Sequence, residues 1–335
     1  MQRRKSLTFT VGLCVLGFCQ LASCKVERAG NGNRAASESP SNDSGGGARA
    51  PKQKTIGLTL MTYNNPFFSV IKSVARKAAE YKGLQFREND AELDSNKQAA
   101  AIEDFLAQGV DAILLNPVDS AAIVKSVEKA NQKGVPVVTI DVTADGGKVA
   151  TFVGSDNFKL GVLTGEYIVK RLSGKGRVAL LTHSNVTSGL KREEGAKSIF
   201  KQFPGIQIVS EQSTLGERLA AVNITENVLT ANPKLDCIWA VNDPTALGAL
   251  QAVKQAKRDK QLFLIAVDGS PEAIEAIRQG GAFAATAAQF PQKMATAALE
   301  QALRAMSGEK LPPFFPIPGS LVTRENVASY PGWAE

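Results

Sequence analysis

Amide, carboxylate and phenyl side chains recur directly after the apolar runs of this 335-residue chain. Carboxylates accept hydrogen bonds from hydroxyl groups, and amides both donate and accept them. Phenyl rings offer flat apolar faces to C–H groups. A ligand with many hydroxyl groups and exposed C–H faces, such as a sugar or polyol, fits this set. The candidate ligand-binding residues are Asn65, Phe67, Phe68, Asn116, Asp141, Asn242, Asp268 and Gln289.

The apolar runs before these residues have the length of β-strands and alternate with amphipathic segments of helix length. Strands are predicted at 56–61, 84–87, 112–115, 135–140, 178–182, 207–209, 237–241, 262–267 and 282–288. Helices are predicted between the first four strands and at 158–171, 190–202, 217–230, 244–256 and 292–307. This alternation favours an α/β fold with two doubly wound parallel-sheet lobes. Ligands of such sheets bind beyond the carboxyl ends of the strands, where the candidates lie.

The first 54 residues are predicted to target and anchor the chain. Three basic residues at positions 3–5 precede an apolar run at 7–18, which is shorter than the ~20 residues that a membrane-spanning helix needs. The run is followed by Leu21-Ala22-Ser23-Cys24, which resembles a bacterial lipobox. We expect residues 1–23 to be a lipoprotein signal peptide, and residues 24–54, with lipidated Cys24 at their start, to be a flexible tether. A plain secreted protein is the alternative.

Charge and cysteine content exclude several function classes. Nine Lys and Arg but three Asp and Glu lie within residues 1–54, so this segment contributes six of the seven net positive charges. The remainder is close to neutral, which argues against a nucleic-acid partner. With the signal peptide removed and Cys24 lipidated, Cys237 has no partner for a disulfide, and its apolar neighbours favour a buried core residue over a nucleophile. We expect no metal site.

A series of ordered stretches closely resembles the sugar-binding periplasmic proteins of ABC importers, above all the ribose-binding type. The resemblance covers residues 55–323 and rests on Asn64-Asn65-Pro66-Phe67-Phe68, Leu114-Leu115-Asn116-Pro117-Val118-Asp119-Ser120, Thr139-Ile140-Asp141, Ser155-Asp156-Asn157, Asn242-Asp243, Val267-Asp268-Gly269-Ser270-Pro271 and Ala287-Ala288-Gln289-Phe290-Pro291. It implies that Phe67 and Phe68 stack on a sugar ring and that the six polar candidates bind hydroxyl groups. It also implies a monomer, without cofactor, that captures a sugar or polyol at the periplasmic or cell-surface side and delivers it to an ABC permease in the inner membrane.

The same resemblance implies a type I periplasmic binding protein fold with a three-strand hinge. We expect an N-terminal lobe of residues 55–155 and 290–318, and a C-terminal lobe of residues 156–289 and 319–335. The crossings between them are predicted near Ser155, Gln289 and Gly319. Closure of the lobes about these crossings would enclose the ligand.

Three positions depart from the ribose-binding pattern. Val142 stands where that pattern has an arginine, Leu190, with Lys191 beside it, aligns with a second arginine, and Gly216 aligns with an aromatic residue. These differences predict a cavity that is less cationic and, around Gly216, roomier, which argues against ribose as the ligand. His183 is the only histidine and follows a predicted strand. The sequence does not distinguish between a structural role for His183 and direct contact with the ligand.

The sequence fits other function classes less well than it fits a binding protein. An enzyme would use Asp141 and Asp268 as a glycosidase pair, but both residues also suit hydroxyl recognition, and we expect no enzymatic activity. A transcriptional repressor of related architecture needs an N-terminal helix-turn-helix, whereas residues 1–54 read as signal and tether. A sugar sensor that signals through a chemoreceptor or a sensor kinase is the alternative to transport.

Overall fold

The computed structural model describes residues 53–333. The predicted signal peptide, the predicted lipidation site Cys24 and all but the last two residues of the predicted tether lie outside the described residues. Within residues 53–333, no helix is both long enough and apolar enough to cross a membrane.

The first half of the chain builds a six-stranded sheet. Its strands are β1 (Thr55–Leu60), β2 (Gln85–Asp90), β3 (Ala112–Leu115), β4 (Val137–Ile140), β5 (Thr151–Gly154) and, from near the C-terminus, β11 (Phe314–Pro316). The helices packed on it are α1 (Pro66–Tyr81), α2 (Ser95–Ala107), α3 (Val124–Gln132) and α9 (Pro291–Met306). The strand order is β2-β1-β3-β4-β5-β11, and all neighbours are parallel.

The second half repeats this plan. Its strands are β6 (Gly176–Thr182), β7 (Ile206–Ser213), β8 (Cys237–Ala240), β9 (Phe263–Asp268), β10 (Phe283–Ala288) and β12 (Ser320–Thr323). Its helices are α4 (Asn157–Arg171), α5 (Thr187–Phe200), α6 (Arg218–Ala231), α7 (Asp243–Gln255) and α8 (Pro271–Gln279), and a short 3₁₀ helix follows at Val327–Ser329. The order is β7-β6-β8-β9-β10-β12, in which β12 alone is antiparallel to its neighbour. The predicted α/β fold with two doubly wound lobes is confirmed.

Both sheets are covered by helices on both faces, which explains the near-continuous apolar strands. In β3, Leu114 packs in the core beside α1 and α9, whereas Ile113 packs in the core beside α2 and α3. In the second sheet, Ala240 and Trp239 face opposite sides in the same way. Each lobe therefore has its own hydrophobic core.

The chain crosses between the sheets three times: after β5, after β10, and between β11 and β12. Gly319 lies in the third crossing. A Cβ atom there would stand 2.5 Å from the carbonyl oxygen of Ala288, so the close approach of two crossing segments requires glycine. The C-terminal tail links the lobes again, since Trp333 packs in the core of the first lobe and donates a hydrogen bond to the Asp268 carbonyl of the second.

Several elements were not predicted from the sequence. They are β5, α8, β11 and β12. The β11 strand ends at Pro316 and pairs with β5 alone, and an edge strand tolerates a proline that a central strand would not. The proline-rich segment near the C-terminus, residues 312–318, therefore supplies an edge strand to the first sheet.

Candidate functional site

The carboxyl ends of both sheets face one cleft. Among the eight candidate residues, six line its cavity: Asn65, Phe67, Phe68, Asp141, Asn242 and Asp268. In both sheets the cleft lies at the point where the strand order reverses, between β1 and β3 and between β6 and β8. This is the expected ligand position in doubly wound sheets. We call this cavity the inner cavity.

Two of the polar residues also begin helices. Asn65 caps α1 and accepts a hydrogen bond from Phe67 N at 3.0 Å, and Asn242 caps α7 and accepts one from Thr245 N at 3.0 Å. Capping fixes each side chain at the cleft. The Asn242 Nδ2 atom donates to the Gly216 carbonyl at 3.1 Å. The Asn65 Nδ2 atom has no protein partner among residues 53–333 and is available to a ligand oxygen.

The aromatic wall comes from the first turn of α1. The Phe67 and Phe68 rings meet edge to face, with centroids 5.5 Å apart at an interplanar angle of 89°. Trp333 packs against Phe67 from the other side, also at 5.5 Å, with an angle of 74°. Packing on both sides fixes the Phe67 ring, so its orientation toward the cavity does not depend on a ligand.

Asp141 and Asp268 approach the inner cavity from different lobes. Both are almost fully buried, and both have positive φ, at +63° and +142°. Non-glycine residues in such conformations are strained and concentrate at functional sites. Asp268 accepts hydrogen bonds from Gln289 Nε2 at 3.0 Å and from Asp243 N at 3.3 Å. The Asp141 Oδ1 atom is buried and has no hydrogen-bond partner within residues 53–333.

Arg192 lies between the two aspartates. Its Nη2 atom is 3.7 Å from Asp141 Oδ1, and its Nη1 atom is 3.6 Å from Asp268 Oδ1. Its hydrogen bonds run to Asn157 Oδ1 at 2.8 Å and to the Val241 carbonyl at 3.0 Å. Arg192 is 4% exposed, so its charge acts on both carboxylates with little screening by water.

The expectation that Leu190 replaces the second arginine of the ribose-binding pattern is wrong. Leu190 is 45% exposed, and Lys191 forms a surface ion pair with Glu194. Neither lines the inner cavity. Arg192 does, because it shares the buried face of α5 with Ser188. The helical spacing of four residues between these two positions is the signal that could have identified Arg192.

Burial dominates the electrostatics of the carboxylates. It raises the pKa of Asp141 to about 6, while the positive charge of Arg192 acts in the opposite direction. Burial also raises the pKa of Asp268; Arg192 opposes this, and the charges of Asp243 and Asp141 add to it. A ligand that donates hydrogen bonds to these oxygens would favour their ionised forms.

Asn116 and Gln289, the remaining two candidates, do not line the inner cavity. Asn116 is fully buried and joins three strands, since its Oδ1 accepts from Met61 N at 3.3 Å and its Nδ2 donates to the Ile140 carbonyl at 3.0 Å. Gln289 donates to Asp268, and its Oε1 atom is buried without a partner in the described part of the chain. The contacts of both residues orient the strand ends that carry Asp141 and Asp268.

The cavity is not roomier around Gly216, contrary to expectation. A Cβ atom on Gly216 would stand 3.1 Å from His183 Nδ1 and 3.0 Å from Asn242 Nδ2. The His183 ring thus takes up the space beside Gly216. The ring nitrogens have no hydrogen-bond partner among the residues that the structure describes. Burial, with the charge of Arg192, lowers the pKa of His183 to about 4, so the imidazole is neutral at pH 7.

Val142 and Cys237 are both buried, but only Val142 belongs to the site. Val142, in the place of an arginine in the ribose-binding pattern, lines the cavity and is buried. Cys237 is fully buried, and burial raises the pKa of its thiol, as expected of a core residue. In residues 53–333, no group of three or more His, Cys, Asp or Glu could hold a metal ion.

Two lobes joined by three crossings, with acidic, amide and aromatic side chains converging on one cleft, define a two-lobed solute-binding architecture. Residues 56–310 match the family described as periplasmic binding protein domain, and the chain belongs to this family. It is similar to the ribose import binding protein RbsB of Bacillus subtilis (strain 168), with 35% identity over 97% of this chain and 100% of the relative.

Two solved structures of solute-binding proteins are also similar to this chain. One is an ABC transporter periplasmic solute binding protein from Actinobacillus succinogenes 130z with bound D-allose, at 32% identity and a TM-score of 0.77, covering 83% of this chain and 100% of that one. Another is an ABC transporter solute binding protein from Bacillus halodurans C-125 with bound myo-inositol, at 30% identity and a TM-score of 0.78, covering 83% and 97%.

Proposed function

We propose that this protein is an extracytoplasmic solute-binding lipoprotein that captures a sugar or polyol between its lobes and delivers it to an ABC importer. Cys24 would carry the lipid, and the following residues would let the lobes reach the permease. The ligand would stack on Phe67 and Phe68 and hydrogen-bond to the polar residues of the inner cavity.

The strongest support for this proposal is that Asp141 and Asp268 reach one cavity from different lobes. The two carboxylates come from different lobes and reach the same cavity, where Arg192 lies within 4 Å of both. A ligand that contacts both carboxylates favours the closed arrangement of the lobes by its differential affinity for it. Similarity to proteins named for ribose, or solved with D-allose or myo-inositol, supports a polyhydroxylated ligand.

The size of the inner cavity supports opening as part of the binding cycle. The cavity has a volume of about 40 Å³, far below the roughly 300–1,000 Å³ that is typical of small-molecule sites. A sugar ring therefore enters only when the lobes separate or the Arg192 side chain moves. The three crossings between the lobes are the expected hinges for such a motion.

A ligand screen tests the proposal. Mature protein is titrated with pentoses, hexoses, furanoses and cyclic polyols, including D-ribose, D-allose and myo-inositol, and thermal stability is followed. A ligand at 100 times its Kd adds about 2.7 kcal/mol to the free energy of unfolding. Failure of every sugar and polyol to shift the unfolding temperature of folded protein would refute the function.

Variants of the two aspartates test the site. Asp141→Ala and Asp268→Ala each leave ligand hydroxyl groups unpaired in the closed cleft, and we expect a loss of about 1–3 kcal/mol of binding free energy. Asp104→Ala, on the exposed face of α2, is the matched control. Unchanged affinity in both cleft variants, measured by calorimetry with the sugar found in the screen, would contradict the site assignment.

A further inference from the structure

A second cavity of about 470 Å³ lies beside the inner cavity, and we call it the outer cavity. The two cavities share the wall residues Asn65, Gly216, Glu217 and Asp268. Both lobes contribute to the outer cavity. Asn64, Asn65 and Pro66 lie just before or at the start of α1 in the first lobe, and the other lining residues belong to the second lobe. Its volume is within the range of about 300–1,000 Å³ that is typical of small-molecule sites.

The lining of the outer cavity combines flat apolar faces with a charged rim. Pro66, Pro244 and Pro271 each stand in the first turn of a different helix and face this space. Arg218 forms a bidentate pair with Glu272, with both nitrogen–oxygen distances at 2.8 Å, and both side chains are about half exposed. Apolar faces surrounded by hydroxyl-binding groups match a sugar ring, as in the inner cavity.

Glu217 stands at the junction of the two cavities. Its carboxylate has no hydrogen-bond or ion-pair partner among residues 53–333, although it is half-buried, and this burial raises its pKa. Gly216 beside it has a φ of +73° and no space for a side chain. At position 216 only backbone atoms therefore separate the two cavities, and the unpaired carboxylate of Glu217 lies next to them.

We propose that the outer cavity is a subsite for a second sugar ring, so that the ligand is a disaccharide. Its first ring occupies the inner cavity, and its second ring lies against the three prolines. Glu217 accepts a hydrogen bond from a hydroxyl group near the glycosidic linkage. This inference rests on the proposed function, since it extends the same cleft.

Calorimetric titration with matched sugars tests the subsite. The probes are D-galactose with lactose and melibiose, D-glucose with maltose and trehalose, and D-ribose and D-allose with disaccharides that carry them at the non-reducing end. We expect at least one disaccharide to bind about tenfold or more tightly than its component monosaccharides, which corresponds to ~1.4 kcal/mol.

Two variants and a control localise the effect. Asn64→Trp fills the outer cavity from an exposed loop and should abolish the preference for the disaccharide while monosaccharide affinity stays within about twofold. Glu217→Gln keeps the shape and should weaken disaccharide binding several-fold. Leu219→Trp introduces the same tryptophan at a residue that is 75% exposed and lines neither cavity, so this variant should bind both probes as the wild type does.

The possible outcomes separate this inference from the proposed function. If monosaccharides bind and no disaccharide binds more tightly, the subsite is refuted and the sugar-binding function stands. The subsite is also refuted if Asn64→Trp, with wild-type thermal stability, leaves the disaccharide preference intact or reduces binding of both probes equally. If folded protein binds neither class of sugar, the proposed function fails and the subsite fails with it.

Discussion

Thr143 and Thr187 exchange two hydrogen bonds across the boundary between the lobes. Thr143 N donates to Thr187 Oγ1 at 3.1 Å, and the same hydroxyl lies 3.3 Å from the Thr143 carbonyl, to which it donates. Ser120 adds two more bonds, since its Oγ accepts from Thr187 N and its N donates to the Asn185 carbonyl, both at 3.0 Å. None of these four residues lines the inner cavity. Together these residues form four hydrogen bonds between the lobes outside the inner cavity, and we call this group the clasp.

Thr187→Val should weaken this clasp. Valine keeps the shape of threonine but removes the hydroxyl, so the closed form loses two hydrogen bonds, each contributing about 0.5–1.5 kcal/mol. We expect the ligand-free protein to have a larger radius of gyration in small-angle scattering and its sugar to dissociate faster. Thr230→Val, whose hydroxyl bonds within its own helix, is the control. Identical scattering and dissociation rates in Thr187→Val and wild type would show that the clasp does not hold the lobes closed.

Arg192→Gln should destabilise the protein far more than Lys191→Gln. The Arg192 change removes charge-assisted bonds to Asn157 and Val241 and leaves two buried carboxylates without their nearest cation. A cost of about 1–3 kcal/mol in the free energy of unfolding follows. Lys191 is in an exposed ion pair, and such pairs contribute at most about 1 kcal/mol. Urea unfolding measures the free energy of unfolding of both variants. Equal stability of the two variants would contradict the role given to Arg192.

Ligand affinity should depend on pH through Asp141. Because the pKa of this carboxyl is raised to about 6, a ligand hydroxyl that donates to the carboxylate binds less well as the pH falls below 6, by at most about tenfold per pH unit. The effect of Asp141 on the free energy of unfolding has the opposite sign. Because its pKa is higher in the folded than in the unfolded protein, the carboxyl stabilises the fold fully below the unfolded-state pKa of about 3.9. This stabilisation is lost as the pH rises through 6.

Asp141→Asn should remove both effects. Calorimetric titrations between pH 5 and pH 8 compare it with wild type, and Asp104→Asn serves as the exposed control. An affinity profile of Asp141→Asn that keeps the inflection near pH 6 would assign that inflection to another group, such as Asp268, whose pKa is also raised by burial.

The sequence predicted the fold well because both sheets are parallel, apart from the antiparallel edge strand β12, and are buried on both faces. Strands such as β3 and β8 are continuous apolar runs of four residues, and each is separated from the next by a helix-length segment. The edge strands β11 and β12 carry no such pattern. They are short, and β11 includes Pro316, so their pairing depends on the tertiary arrangement of the C-terminal tail rather than on local sequence.

The prediction of the site was less accurate than the prediction of the fold, for two physical reasons. Alignment by sequence placed Leu190 at an arginine position but could not show which residues of α5 face the cleft, and the buried face carries Arg192 instead. The space beside Gly216 was judged from the missing side chain alone, whereas His183 from another strand end stands next to it. Both errors concern contacts between elements that are distant in the sequence.

Cys24→Ser should release the protein from the membrane if Cys24 is lipidated. Stable anchoring requires about two acyl chains or an equivalent second signal, because a single chain binds reversibly. Within residues 53–333, no helix offers an alternative span. We expect the wild type in the membrane fraction and Cys24→Ser in the soluble fraction, measured by fractionation and immunoblotting, while Cys19→Ser, a change within the predicted signal peptide, stays with the membrane. Retention of Cys24→Ser in the membrane fraction would mean that another part of the chain anchors it.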